Sequence, residues 1–352
     1  MKAAPAVSPE FDAAVIGGGP AGLTGALYLA RGGRRAVVID SGKPRNAPAD
    51  AAHGVFTRDG AAPGELLSIA RRQLGQYPSA VCRHGDVIDV ARAADGFIVE
   101  LAGGDAVTAR KLLLTCGVRD ELPPVDGLLE RWGTDVHDCL YCHGHEHCGS
   151  TLGVIVRAAD ARNSVATLLP LSRDILLCTD GSGPLAPEDR RRMESFGVRI
   201  VEQRIRRVRG GRGRPEIHFA DGSTAAAQAL YVRTTLVTAC PLPQLLGCRF
   251  DGEARLAVGD DWQTSAAGVY AAGDLAVGTR FVAVAAASGA QAAVALNAAL
   301  AREDFGGEWH EPLCSARKTG MARRDAGVPP VKPAARTPGA PPPPCNATAS
   351  AR

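Results

Sequence analysis

The sequence predicts an α/β fold made of two three-layer domains, and three observations support this. First, 352 residues with 45% apolar composition can bury two ordinary hydrophobic cores. Second, strand-like and helix-like segments alternate along most of the chain, as in doubly wound α/β domains. Third, a glycine-rich turn at 17–22 stands between a strand-like and a helix-like segment. We therefore expect parallel sheets covered by helices.

The first βαβ unit is readable element by element. An apolar strand is predicted at 12–16, a helix at 23–30, and a second strand at 35–39, which ends at Asp40. Further strands are predicted at 86–90, 97–101, 111–115, 152–156 and 174–178, with short strands within 199–219 and a helix of small residues at 281–302. The Pro- and Ala-rich segment at 304–352 lacks the composition for a packed core, so we predict a disordered tail there.

The overall charge argues against two classes of partner. Forty basic and 37 acidic residues give a formal net charge of +3, which is too small for a nucleic-acid or anionic-membrane surface. The first eleven residues lack a secretory apolar segment, and no uninterrupted apolar run reaches the roughly 18 residues of a membrane span. We therefore expect a cytoplasmic protein that binds neither membrane nor nucleic acid.

The ten cysteines fall into clustered and isolated groups. In a cytosolic protein, clustered cysteines are more often catalytic or metal-binding than structural disulfides. Six cysteines stand in isolation, and each is expected to be a small buried apolar residue or a bystander: Cys82, Cys116, Cys178, Cys240, Cys248 and Cys314.

The turn at 17–22 has the features of a dinucleotide site. Gly17 permits the tight turn, Gly19 lets the backbone approach a pyrophosphate, and Gly22 allows close packing of helix and strand. Asp40 follows at the end of the second strand, where a carboxylate can accept hydrogen bonds from ribose hydroxyls. The motif predicts a bound dinucleotide but does not distinguish FAD from NAD.

A resemblance settles that choice in favour of FAD. The segments 17–22, 40–46, 115–117 and 268–274 are similar to the successive FAD-binding segments of thioredoxin-reductase-like flavoproteins, and the similarity extends over residues 11–300. The resemblance implies two Rossmann-like domains: a discontinuous FAD domain, 1–118 and 238–303, with a central domain, 119–237, inserted into it. It also implies a homodimer. The FAD-binding residues implied are Gly17, Gly18, Gly19, Pro20, Ala21, Gly22, Asp40, Ser41, Gly42, Arg45, Asn46, His53, Val87, Thr115, Gly117, Gly273, Asp274, Phe281 and Val282.

A second site is predicted at Cys139 and Cys142. A C-x-x-C spacing lets two sulfurs close a small disulfide ring, and a nearby histidine stabilises a thiolate. The resemblance implies that Cys142 faces the flavin and that Cys139 exchanges with the substrate. His143 stands where thioredoxin reductases have an acidic residue, and an imidazole can move protons at neutral pH. We therefore predict Cys139, Cys142 and His143 as catalytic.

Zinc is the alternative for this segment, because cysteines and histidines crowd residues 139–148. Structural zinc sites usually combine two ligand pairs separated by a dozen or more residues, and the sequence has no second pair. We therefore predict no metal, and we expect His145, His147 and Cys148 to be exposed or to support the cysteine pair from outside.

The nicotinamide site of the resembled family is degenerate in this sequence. The glycine, glycine and alanine positions after the strand at 152–156 hold Arg157, Ala159 and Arg162. Side chains would thus project where backbone must contact a pyrophosphate. No arginine clamp for a 2′-phosphate follows the strand at 174–178, unless the arginines at 190–192 serve at a distance. The sequence therefore argues against NADPH as the electron donor.

The cysteine segment also resembles the C-x-Y-C-H-G-x-E stretch of dithiol oxidases that close the disulfides of gliotoxin, holomycin and romidepsin. This resemblance implies an FAD-dependent oxidase of a small-molecule dithiol, which uses molecular oxygen and releases hydrogen peroxide. Leu140 departs from the proline frequent at its position. Two alternatives stay open: a disulfide reductase fed by NADPH or ferredoxin, and a non-enzymatic flavin or zinc redox sensor.

Overall fold

The computed structural model describes residues 9–252 and 254–306. In chain order its strands are Phe11–Ile16 (β1), Ala36–Asp40 (β2), Ala80–His84 (β3), Val87–Ala93 (β4), Gly96–Leu101 (β5), Ala106–Leu114 (β6), Val118–Glu121 (β7), Val136–His137 (β8), Leu152–Ile155 (β9), Ile175–Cys178 (β10), Arg199–Val201 (β11), Ile205–Arg209 (β12), Glu216–Phe219 (β13), Thr224–Ala226 (β14), Ala229–Val232 (β15), Thr235–Thr238 (β16) and Val269–Ala271 (β17). Its α-helices are Pro20–Arg31 (α1), Pro63–Leu74 (α2), Leu140–His143 (α3), Ala161–Leu168 (α4), Pro187–Ser195 (α5), Leu242–Leu245 (α6) and Val282–Gly306 (α7).

The first sheet joins both ends of the described chain. Its strand order is β3-β2-β1-β6-β5-β4, and β17 pairs with the C-terminal part of β6. β1, β2, β3, β6 and β17 run parallel, whereas β4 and β5 are antiparallel additions. Because β17 follows the central segment in sequence, this sheet is assembled from two separate stretches of chain. The predicted discontinuous α/β domain is confirmed.

Helices α1 and α7 cover one face of the first sheet. α7 is rich in alanine and presents Gly289 to α1, where a Cβ atom would lie 2.1 Å from the carbonyl oxygen of Ala21. By length and composition α7 could also cross a membrane, and a third of its most apolar 18 residues are buried inside the protein. The close approach of α1 and α7 positions the glycine turn that precedes α1.

The central segment builds a second parallel sheet with the order β11-β10-β9-β15-β8. Helices α4 and α5 pack on one face of this sheet, and an antiparallel meander of β12, β13 and β14 packs on the other. The predicted α/β fold with two Rossmann-like units is therefore confirmed. The sequence had not indicated how the short strands within 199–219 pair.

Strands β7 and β16 carry the chain into the central segment and back. They form a two-stranded antiparallel ribbon in which Val118 pairs with Thr238. The boundaries predicted at 118 and 238 fall on this ribbon, and the extents of the two domains stay a prediction. The described residues all belong to one compact unit.

The predicted start of the tail needs a correction. α7 continues through residues 304–306, which we had assigned to the tail. Asp304 accounts for the extension, because its carboxylate pairs with Arg34 and lies 2.7 Å from the guanidinium of Arg110. The rest of the predicted tail, 307–352, lies outside the described residues.

Candidate functional site

One large cavity collects the predicted site residues. Its volume is about 1210 Å³, which exceeds the roughly 300–1,000 Å³ of ordinary small-molecule sites and suits a ligand as long as a dinucleotide. The predicted residues that line it are Gly17, Gly18, Gly19, Pro20, Ala21, Asp40, Ser41, Gly42, Arg45, Asn46, His53, Val87, Thr115, Gly117, Cys139, Cys142, His143, Gly273, Asp274, Phe281 and Val282. Gly22 does not line it. The glycine turn and the cysteine pair thus share one space.

The three motif glycines have three different surroundings. Gly17 has a φ of +110°, and a Cβ there would lie 2.4 Å from the carbonyl oxygen of Thr115. A Cβ on Gly22 would lie 1.9 Å from the carbonyl oxygen of Gly17, so this glycine lets α1 pack against the turn. A Cβ on Gly19 would meet nothing within 4 Å. Gly19 therefore leaves open the space that a pyrophosphate needs at the N-terminus of α1.

The end of β2 supplies the carboxylate expected for a ribose. Asp40 is packed against the turn, since a Cβ on Gly18 would lie 2.7 Å from its carboxylate. Arg71 of α2 forms an ion pair with Asp40 at 2.7 Å, a contact that sequence reasoning missed because the two residues lie on different elements. These surroundings fit the adenosine half of FAD.

Arg45 lies at the centre of a charged cluster that also lines the cavity. Its guanidinium contacts Asp120 at 2.6 Å, Asp138 at 2.7 Å and Asp274 at 3.4 Å. These hydrogen bonds and charges raise the pKa of Arg45 against the opposing effect of its burial. Burial raises the pKa of Asp274, while Arg45 opposes that effect. Arg45 thereby connects the predicted FAD-binding Asp274 to Asp138, which immediately precedes the first cysteine of the pair.

Cys139 and Cys142 are joined by a disulfide bond and line the cavity. Cys139 caps the short helix α3, and the backbone N–H of Cys142 donates a hydrogen bond of 3.1 Å to its sulfur. The same N–H stabilises the thiolate that forms at Cys139 when the disulfide opens. The pair is thus arranged for thiol–disulfide exchange within a cavity of dinucleotide size.

His143 is held by two residues that the sequence did not single out. The ring of His137 stacks on the His143 ring with centroids 4.2 Å apart, and the Tyr231 hydroxyl donates to the His143 carbonyl oxygen at 3.0 Å. Burial lowers the pKa of His143 below its ordinary value of 6.5, and Glu146 partly opposes that change. His143 is therefore predominantly neutral at pH 7, the form that accepts a proton.

Two further predicted residues lie near the pair. His53 approaches Glu146 at 3.3 Å through Nε2 and Asp59 at 3.5 Å through Nδ1, so it links the loop after β2 to the segment after α3. His147 lies beside His137 with ring centroids 5.6 Å apart. Within residues 9–252 and 254–306, the histidines, cysteines and carboxylates include no group placed to hold a metal ion.

A discontinuous α/β fold with a disulfide in a dinucleotide cavity defines a flavin-dependent disulfide oxidoreductase. The chain belongs to the family described as pyridine nucleotide-disulphide oxidoreductase, whose model matches residues 11–290. It is 34% identical to "Thioredoxin reductase tcpT" of Claviceps purpurea over 278 residues, which are 75% of this chain and 86% of that one. The protein is therefore an FAD-dependent oxidoreductase, and the predicted cofactor is confirmed.

Two solved structures support the same assignment. An oxidoreductase from Agrobacterium tumefaciens has 34% sequence identity and a TM-score of 0.79, with 83% of this chain and 99% of that chain covered. HlmI has 35% identity and a TM-score of 0.78, with 86% and 96% covered.

We predict that Gly19→Val yields a folded apoprotein. The valine side chain meets no protein atom within 4 Å of its Cβ but fills the space of the pyrophosphate, so FAD should be lost while the fold survives. Absorbance at 450 nm and circular dichroism of the purified variant test this. Gly64→Val, at an equally open glycine outside the cavity, is the control and should retain FAD. Full flavin occupancy in Gly19→Val would contradict the assignment.

We also predict a stability loss at acid pH from His137. It is 2% exposed, and within the described residues neither ring nitrogen has a hydrogen-bond partner. Burial lowers the pKa of His137 to about 3. The unfolded chain therefore binds a proton below pH 6.5 that the folded chain does not, and stability falls as pH falls. Between pH 7 and pH 5 the expected loss from this residue is about 2 kcal/mol.

His137→Phe tests this expectation, because it keeps a stacked ring and removes the titrating group. Denaturant unfolding of the FAD-loaded proteins at pH 7 and pH 5 should show a smaller acid loss in this variant than in wild type. The exposed His145→Phe is the control. Equal acid losses in His137→Phe and wild type would show that His137 is not the source.

Proposed function

We propose that the protein is an FAD-dependent dithiol oxidase that closes a disulfide in a small-molecule dithiol, with molecular oxygen as acceptor and hydrogen peroxide as product. The observation that carries the proposal is the combination of an intact disulfide in the FAD cavity with a blocked nicotinamide turn. The similarity of residues 139–146 to dithiol oxidases of natural-product pathways supports the same reaction.

The turn after β9 is unsuited to a second dinucleotide. The Ala158 N–H already donates to the Ser182 hydroxyl at 2.9 Å, and the Asp160 N–H donates to the Arg157 carbonyl at 2.9 Å. Asp160 also places a carboxylate at the N-cap of α4, where it contacts the Arg157 side chain at 3.1 Å. Two backbone donors of the turn are therefore already used within the protein, which disfavours a pyrophosphate there. This arrangement supports a donor other than NADPH.

The cysteine pair supplies the exchange chemistry. A substrate thiolate attacks the Cys139 sulfur, the Cys139–Cys142 bond breaks, and Cys142 leaves as a thiolate. The second substrate thiol then attacks the first substrate sulfur, which is bonded to Cys139; that bond breaks, the Cys139 thiolate leaves, and the substrate departs as a disulfide. The Cys142 N–H stabilises the Cys139 thiolate that is released. Bound FAD supplies the two-electron path from the dithiol pair to oxygen.

His143 provides the proton acceptor for this sequence. Its neutral imidazole, favoured by burial, takes the proton of the incoming substrate thiol. The stacked ring of His137 and the hydrogen bond from Tyr231 hold it in place. Because a thiolate attacks far faster than a thiol, this transfer raises the rate of exchange.

The rim of the cavity suits an apolar small molecule. Tyr141 is 72% exposed and Leu129 is 74% exposed, and both line the cavity. The Phe281 ring meets the Tyr141 ring edge-on at 5.8 Å. Exposed apolar side chains around a reactive disulfide can bury the carbon skeleton of a dithiol.

A disulfide reductase is the second candidate. The family description refers to a pyridine nucleotide, and the Claviceps relative is named a thioredoxin reductase. In that case NADPH or another donor would reduce the pair, and the dithiol would be the product rather than the substrate.

We predict that dithiol oxidation requires oxygen and no nicotinamide. FAD-loaded wild type with dithiothreitol should consume one O2 and form one H2O2 for each disulfide produced, as the balance of two electrons and two protons requires. Cys142→Ser is the control and should show no turnover. NADPH added without oxygen should not bleach the flavin. Rapid anaerobic bleaching of the flavin by NADPH would contradict the oxidase proposal and favour the disulfide reductase.

A further inference from the structure

A second pair of cysteines meets where the connecting ribbon ends. β7 and β16 pair antiparallel up to Val118 and Thr238, and the ladder continues because the Ala239 N–H donates to the Gly117 carbonyl at 3.1 Å. One residue further, this register places Cys116 opposite Cys240. Residues directly opposite in an antiparallel pair have Cβ atoms about 4.5–5.5 Å apart, a spacing from which a small backbone adjustment closes a disulfide.

The two thiols already interact. Both side chains pack against the same hydrophobic core where the ribbon ends. Their mutual interaction lowers the pKa of Cys240 and raises the pKa of Cys116 well above its usual value. Both cysteines are free, partly exposed, and part of the lining of the FAD cavity. The lowered pKa of Cys240 favours it as the first nucleophile of this pair, and the register of the ribbon places Cys116 to follow it.

We propose that Cys116 and Cys240 form a second thiol–disulfide exchange site, which reacts with small-molecule disulfides and closes to a disulfide between the strands β7 and β16. This inference does not depend on the direction of the reaction at Cys139 and Cys142. It would add a redox role to two cysteines that the sequence predicts to be small buried apolar residues or bystanders, and both do pack against the hydrophobic core.

The exchange balances with a small-molecule disulfide as the oxidant. The Cys240 thiolate attacks one sulfur of that disulfide, the bond between its two sulfurs breaks, and one small thiolate leaves. Cys116 then loses its proton to water and attacks the Cys240 sulfur, which expels the second small thiolate. Two protein thiols are oxidised to one disulfide, and one small disulfide is reduced to two thiols.

A disulfide between Cys116 and Cys240 would covalently link the two stretches of chain that lead into and out of the central segment. β7 and β16 are the two strands through which the chain passes between the sheets. A bond between Cys116 and Cys240 would fix the FAD-cavity end of both strands. Small-molecule disulfides are also the product class of the proposed function, so the site would respond to accumulated product.

Disulfide mapping of the FAD-loaded Cys139→Ser/Cys142→Ser variant tests the proposal. Treated with 4,4′-dithiodipyridine, it should yield a tryptic species in which the peptide of Cys116 is linked to the peptide of Cys240. Fragment ions distinguish Cys240 from Cys248, which is in the same peptide. In Cys116→Ala on that background, Cys240 should instead retain one pyridyl adduct.

Recovery of Cys116 and Cys240 unmodified, or as two separate adducts, would overturn the proposal. Wild type is mapped in parallel, so the test does not depend on the folding of a variant. Its Cys139–Cys142 bond lies in a different tryptic peptide, which keeps the two pairs distinguishable. Oxygen consumption with dithiothreitol tests the proposed oxidase separately. If wild type consumed no oxygen, the oxidase proposal would fail, but a mapped Cys116–Cys240 disulfide would still support the second exchange site.

Discussion

Cys139→Ser and Cys142→Ser should each lower dithiol turnover by on the order of 10⁴-fold or more, because removal of either member of a catalytic unit disables the whole unit. The exchange needs Cys139 as the attacked sulfur and Cys142 as the leaving thiolate. Neither cysteine is among the predicted FAD-binding residues, and serine is close to cysteine in size, so flavin content should be unaffected. Stopped-flow measurement with dithiothreitol gives the rate, and the 450 nm absorbance gives the flavin content.

The two variants should differ in their spectra. If Cys142 is the sulfur beside the flavin, Cys139→Ser leaves a Cys142 thiolate next to oxidised FAD, and a long-wavelength charge-transfer band should appear. Cys142→Ser should lack that band. A charge-transfer band in Cys142→Ser and none in Cys139→Ser would show that Cys139, not Cys142, is the sulfur beside the flavin. Cys82→Ser, at an exposed cysteine, is the control for the effect of losing a thiol.

His143→Ala should slow turnover by about 10²- to 10⁴-fold while FAD binding survives. The lost group is the neutral imidazole that accepts the proton of the substrate thiol. Burial lowers the pKa of His143, so in wild type the base form is depleted only below pH 6.5. The wild-type rate should therefore fall in acid with an apparent pKa below 6.5, and this limb should be absent in His143→Ala.

Steady-state rates between pH 5 and pH 8 measure this effect. His145→Ala removes an exposed histidine that does not line the cavity, and it should keep both the wild-type rate and the acid limb. His143→Gln should resemble His143→Ala, because an amide does not accept a proton at these pH values. An unchanged acid limb in His143→Ala would assign the proton transfer to another group.

Local patterns were sufficient for the fold class and for a dinucleotide site. A strand that ends at Ile16, a helix that begins at Pro20, and a second strand that ends at Asp40 are consecutive in sequence, so their chemistry is visible without tertiary structure. The resemblance of later segments added the discontinuous domain and FAD. Cys139, Cys142 and His143 were visible for the same reason, since a segment of five residues, 139–143, carries the exchange and proton-transfer groups.

The surroundings of these residues depended on contacts between distant parts of the chain. His137, on the strand before the pair, gave no sequence signal, although its ring stacks on His143. Tyr231 reaches His143 from β15, a strand that is paired with β8 only in the folded sheet. Such contacts have no fixed spacing, so no periodicity or motif predicts them.

The sequence by itself determined the parallel α/β plan, the FAD turn and the redox pair, because each is encoded by neighbours along the chain. Only the tertiary structure decided which charges and thiols meet across the cavity. Arg45 joins Asp120, Asp138 and Asp274, and Cys116 meets Cys240, because the antiparallel ribbon and the two sheets bring separate segments into register. Burial then changes the pKa values of the groups so assembled, since a low-dielectric site penalises charge that is not paired.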